Sequence, residues 1–121
     1  MEGYYTRLAL TTNAAALADG ARAALARGWL NGSATEMNAA KTGWEKISRY
    51  HGAICGGLTA NPMLAGGNPS TGIFNDTLGA WAEAFMCAGM GAHAVWAWDE
   101  LERLVFNALP ACVEETRVQL V

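Results

Sequence analysis

Ser33-Ala-Thr-Glu-Met-Asn-Ala-Ala-Lys-Thr-Gly-Trp-Glu-Lys-Ile-Ser-Arg-Tyr-His-Gly52 is the stretch on which the fold turns. Ser33 followed by Glu36 is the Ser-x-x-Glu pattern of a capping box, which starts a helix by giving its free amide groups acceptors. Downstream, Met37, Ala40, Trp44, Ile47 and His51 recur three or four apart. Lys41, Glu45 and Arg49 share another face. That is an amphipathic helix with one buried stripe, ending at Gly52.

Upstream, Leu10, Ala14, Leu17, Ala21, Leu25 and Gly28 follow the same period within an alanine-rich run from Leu8 to Leu30. Alanine favours a closely packed helix, and the short Trp29-Leu-Asn-Gly-Ser33 break folds it back antiparallel to the next. From Gly52 to Gly72 there are six glycines and two prolines without periodicity, which predicts one long loop. Loops of that length in compact domains are usually functional or disordered. Asn75 or Asp76 then caps a third helix reaching about Trp98, with Leu78, Trp81, Phe85, Gly89, Ala92 and Trp96 on one side. Asp99 with Glu102 repeats the capping pattern and predicts a restart. Leu101, Leu104, Val105 and Ala108 line the fourth helix until Pro110 ends it. The two helices form either a hairpin or one bent helix. The tail from Cys112 to Val121 reads as irregular or frayed helix, because a lone terminal strand has no partner. The whole is a single all-α domain, 1–121, of about four helices in antiparallel hairpins.

Composition narrows the function. Apolar residues make up 52% and charged residues 16% of the chain, so polar side chains are too few to cover the surface. A sticky face and a homo-oligomer formed through apolar helix faces are therefore expected. The net charge of -3, with basic residues scattered singly, argues against nucleic acid. No run of about 18 apolar residues is present, so no membrane span is expected. Met1-Glu-Gly-Tyr-Tyr-Thr lacks the basic flank and apolar core of a signal peptide, which predicts a cytoplasmic protein. Cys55, Cys87 and Cys112 are odd in number and lack CxxC spacing, so they read as free thiols, without disulfide or zinc knuckle. The glycines match no phosphate-binding pattern.

Three motifs together resemble a known family. Trp44-Glu-Lys-x-x-Arg-Tyr-His-Gly52, Leu64-Ala-Gly-x-Asn-Pro-Ser-x-Gly72 and Leu101-Glu-Arg-Leu-Val-Phe-Asn-Ala-Leu-Pro110 are similar to the helical barrel domain of glycoside hydrolase family 127, the beta-L-arabinofuranosidase-like proteins. The likeness runs from about Leu8 to Ala111 and covers a fraction of that much longer domain. It implies hairpins of an (alpha/alpha) barrel around a central pocket, and zinc-assisted cleavage of sugars by a cysteine nucleophile. The chemistry does not carry over. Where the relatives read Gly-Asp-Glu-His, this chain has Ala60-Asn-Pro-Met63, with Pro62 in the place of the acid, and proline cannot transfer a proton. Where they read Gly-Thr-Glu-Leu-Cys, it has Gly72-Ile-Phe-Asn-Asp76, so Phe74 and Asp76 replace the zinc-binding glutamate and cysteine. An ungapped count still lands Glu102 on the Leu-Glu-Arg motif. Cys112 does not match the nucleophile.

No cofactor or metal is therefore expected. A zinc site from His51, His93, Cys55 and Cys87 lacks any closed-site spacing. His51 reads as a helix-end group whose positive charge favours the dipole, or as a pocket-lining residue. His93 reads as a core or interface residue. The five tryptophans read mainly as core, with Trp98 the exposed one. Glu83, Asp99 and Glu100 show no spacing that sets two carboxylates across a glycosidic bond. His51, Trp98 and Asp76 remain as candidate carbohydrate contacts. The expected function is a degenerate, non-catalytic relative of a glycoside hydrolase, or else a small helical binding or assembly module with weak carbohydrate affinity.

Overall fold

The computed structural model describes residues 12–59, 63–67 and 72–111, with the backbone of Val113–Glu114 and Arg117–Val118. It is all-α in its body. Helix α1 spans Ala14–Asn31, α2 Ala34–His51, α3 Asn75–Gly91 and α4 Val95–Arg103. The last continues through a π-helical turn, Leu104–Ala108, and a final α turn, Leu109–Ala111. Residues 1–11, 60–62, 68–71 and Cys112, and with them the readings made on Pro62 and the Asn-Pro-Ser motif, lie outside the described set.

The first hairpin forms as its sequence dictates, with two amendments: α1 begins at Ala14 and not at Leu8, because Asn13 is extended and caps it, and the capping box of α2 is only half made. Asn13 caps α1 by accepting from the amides of Ala15 (2.9 Å) and Ala16 (3.1 Å). Ser33 caps α2 by accepting from Glu36 N–H at 3.3 Å. The reciprocal half of the capping box is absent, because Ser33 N–H donates to Gly28 O at 2.8 Å across the turn. Glu36 instead reaches Arg27 at the end of α1, with Nε to Oε1 2.9 Å. Trp44, Ile47 and His51 are the buried residues of α2, on the stripe the spacing defines.

Helix directions follow from cross-contacts. Trp81 Nε1 of α3 donates to Ala14 O at the start of α1 (3.1 Å), and Trp29 lies beside Gly91 near the far ends. So α1 and α3 run side by side in the same direction. Along α3, Gly89 faces Trp98 of α4, Phe85 meets Trp96 edge-on at 6.2 Å, and Leu78 and Leu104 both lie beside Gly57. This second hairpin is therefore antiparallel. The α1–α3 groove and the α2–α4 cleft are lined by separate helices, which places α1 and α3 in one layer and α2 and α4 in the other. Between the layers Trp44, Trp81 and Phe85 form a triangle with ring centroids 4.7, 4.8 and 5.8 Å apart. Ala14, Ala18, Ala88, Ala97 and Ala108 around it are buried, so the helices can approach closely.

The long loop is built into this core. Gly52 pairs with Leu58 and Asn13 with Met63 in isolated antiparallel bridges. Leu58, Thr59 and Leu64 are buried. Gly56 sits on the backbone of α4: a Cβ there would lie 3.1 Å from Leu104 Cα and N. With its φ of 112° as well, the position admits only glycine.

Boundaries in the second half also differ from the sequence expectation. Helix α3 begins after Phe74, so Asn75 and Asp76 occupy its first turn and do not cap it. It stops at Gly91, because His93 takes a left-handed φ of 51° and Ala94 N–H turns back to Ala88 O at 3.2 Å. Helix α4 then starts at Val95, and Asp99 and Glu102 lie exposed within it rather than marking a restart. The helix ends at Ala111, one residue past Pro110, close to where the sequence places its stop. The turn before Pro110 takes the π form, with Leu109 N–H bonding Leu104 O. In the tail, Val113–Glu114 pairs antiparallel with Arg117–Val118, so the strand-like alternation finds its partner within the tail itself.

Candidate functional site

The three residues singled out from sequence do not meet. His51 is fully buried at the end of α2. Its Nδ1 accepts a hydrogen bond from Gly66 N–H at 2.9 Å, while its own backbone carbonyl accepts from Thr59 N–H (2.7 Å) and Thr59 Oγ1 (3.0 Å). An accepting Nδ1 carries no proton, so the ring is neutral here and is not the dipole-capping cation expected at a helix end. Asp76 is exposed in the first turn of α3. Trp98 is 42% exposed and rests on Gly89, where a Cβ would come within 2.3 Å of its ring. Gly89 and Asp76 are separated by about 20 Å along α3, so Trp98 and Asp76 belong to opposite ends of the molecule.

The other candidates are scattered too. His93 is exposed in the α3–α4 turn and not in the core. Trp29, at 61% exposure, is more open than Trp98. Cys55 is half-buried and Cys87 exposed, both as free thiols. Among the described residues no three His, Cys, Asp or Glu side chains gather closely enough to hold a metal ion. No helix among them is long and apolar enough to cross a membrane.

Two concave surfaces among the described residues lie between helices. The larger, about 600 Å³, is a groove between α1 and α3 on the outer face of their layer. Leu25, Ala26 and Trp29 line one wall; Met86, Cys87 and Met90 line the other. Met86 is 44% and Met90 66% exposed, so the groove is an open apolar surface. One ion pair, between Arg22 of α1 and Glu83 of α3, crosses it, and Asp19 also binds the Arg22 guanidinium. The Arg22 pKa is raised: desolvation is the largest influence and opposes the rise, but the hydrogen bond and charge of Asp19, with Glu83 and Cys87, outweigh it. Arg22 is thus a fixed positive charge on the α1 wall.

The second surface, about 410 Å³, lies between α2, the Gly52–Gly57 turn and α4. Glu45, Arg49, Glu100 and Arg103 surround it, with Trp44 at its base. Arg103 is 3.9 Å from Glu100, and Glu45 is 3.7 Å from Lys41. These surface pairs are weak, so the groups can turn toward a polar ligand.

The α1–α3 groove was invisible in the linear chain. Apart from Leu25, which belongs to the stripe of α1, each wall shows only scattered apolar residues beside that helix's main stripe. Their sum appears once α1 and α3 are parallel neighbours. Compared with known proteins, the chain matches no family model, no curated protein and no solved structure.

Proposed function

We propose that the chain is a non-catalytic relative of the family 127 glycoside hydrolases that works by assembly through its helix faces and not by turnover. The observation that carries this reading is the stacking of two antiparallel hairpins with α1 and α3 parallel in one layer and an open apolar groove between them. Neighbouring hairpins of an (alpha/alpha) barrel stack in the same way, and each buries apolar faces against the next. The position of the chemical groups supports the same reading. Phe74 stands where the relatives place a carboxylate, Asp76 is exposed at one end of α3, and His51 is consumed in holding the loop.

The test is incubation of the purified protein with aryl beta-L-arabinofuranosides, with and without added zinc. Release at the buffer rate is the expected result; zinc-dependent hydrolysis that saturates with substrate overturns the proposal. A weak carbohydrate affinity is the second reading, favoured by the polar cleft over Trp44 between α2 and α4. Sugar-dependent quenching of tryptophan fluorescence supports it, and a flat titration removes it.

A further inference from the structure

We propose that a second copy of this chain covers the α1–α3 groove, related to the first by a twofold axis that runs along the groove. This deepens the assembly reading above and rests on it. Trp29, Met86 and Met90 expose large apolar side chains together along both walls, and apolar side chains grouped in this way, unlike ones scattered singly, mark an interaction surface.

The charges choose the occupant and the axis. The charged residues lining the groove are Arg22 on the α1 wall and Glu83 on the α3 wall, at one level. Because α1 and α3 run in the same direction, a twofold along the groove lays α1 of each copy over α3 of the other at matching height. Arg22 of one copy then faces Glu83 of the second, twice, and the two in-chain pairs close a ring of four alternating charges. Beyond the ring, Trp29 meets Met90 of the second copy. A twofold across the groove would instead set Glu83 on Met90, leaving a carboxylate against an apolar side chain without a partner. Self-complementarity of this kind is what a closed dimer requires.

The test uses charge reversal in trans. Arg22→Glu makes the charged level of the groove wholly acidic, and Glu83→Arg makes it wholly basic. Both positions are partly or largely exposed, with side chains 35% and 63% accessible, so the monomer fold is retained and circular dichroism checks it. By light scattering, the unmodified protein is expected to be a dimer and each variant alone a monomer. An equimolar mixture of the two is expected to return to dimer mass as a one-to-one heterodimer. Rescue by mixing cannot arise from a pair within one chain. Trp29→Ser is expected to raise the dimer dissociation constant at least tenfold without moving the monomer's unfolding midpoint. If the unmodified protein is a monomer at high micromolar concentration, the assembly reading falls and this proposal with it. If it is a dimer but the mixed variants stay monomeric, or either variant dimerises alone as the unmodified chain does, assembly stands and the proposed axis is wrong.

Discussion

Replacing His51 by alanine separates a structural imidazole from a ligand-binding one. The ring is completely buried, and its Nδ1 is the acceptor for Gly66 N–H at 2.9 Å. Truncation removes most of the ring's packing and leaves a cavity, a change that costs about 2–4 kcal/mol for a buried side chain of this size. It also strands the Gly66 amide in the interior, adding about 1–3 kcal/mol. With partial relaxation of the loop the expected loss is about 3–5 kcal/mol, a large share of the roughly 5–15 kcal/mol that holds a domain of this size. Two further variants apportion it. His51→Leu keeps volume but not the acceptor and should lose about 1–3 kcal/mol. His51→Asn can still offer an oxygen to Gly66 and should lose less than alanine. Urea unfolding followed by tryptophan emission reports all three, because Trp44, Trp81 and Trp96 sit in or against one aromatic cluster. A His51→Ala loss below about 1 kcal/mol, within the range of ordinary surface substitutions or just above it, refutes the reasoning and returns His51 to the list of groups free to meet a ligand.

Two other substitutions probe the packing. Gly56→Ala forces a side chain into a φ of 112° and against the Leu104 backbone at 3.1 Å. Strain and overpacking together predict a loss of about 2–5 kcal/mol by the same unfolding assay; a neutral result would show that the loop does not rest on α4. Thr77→Val acts in the opposite direction. The Thr77 side chain is wholly buried, and its hydroxyl has no hydrogen-bond partner among the described residues. A methyl of the same shape removes the desolvation cost, so thermal unfolding should show a gain of about 1 kcal/mol, and a clear loss would mean that the hydroxyl has a partner.

What could be read from the chain was local. Ser33 and the period from Met37 to His51 defined α2 before any tertiary contact was known, because a cap and a stripe need only neighbours within two turns. The same logic misplaced the start of α4. Asp99 with Glu102 has the residues of a capping box, but a cap also needs backbone outside the helical region, and that is found at His93 and Ala94. Pro110 marks the end of the last helix to within one residue, whereas the π turn that precedes it leaves no local signal. His51 was misjudged through distance in sequence. Its partner, Gly66, is 15 residues away across a loop with no periodic signal, so nothing nearby marked the ring as a buried acceptor.

That contact also decides where a function can reside. A loop of twenty residues between helices invites a catalytic reading, but Leu58, Thr59 and Leu64 turn inward and its backbone is bonded to its surroundings. Thr59 binds the last carbonyl of α2, Leu64 N–H binds Thr12 O ahead of α1 at 3.1 Å, and Ala65 N–H binds Thr59 O at 3.0 Å. Gly66 is held by the ring of His51. Every one of these bonds ties the loop to one end of the first hairpin or to itself, so moving it toward a ligand would expose Leu58, Leu64 and several unpaired backbone groups together. A segment fastened in this way closes the core. The α1–α3 groove has the opposite character: Met86 and Met90 have rotamer freedom, Trp29 has two torsions and a large face, and one ion pair supplies direction. Flexible thioethers beside an aromatic face suit a surface that must adapt to a partner. The exposed apolar surface therefore lies on the groove, and the loop that first suggests chemistry fastens one end of the first hairpin.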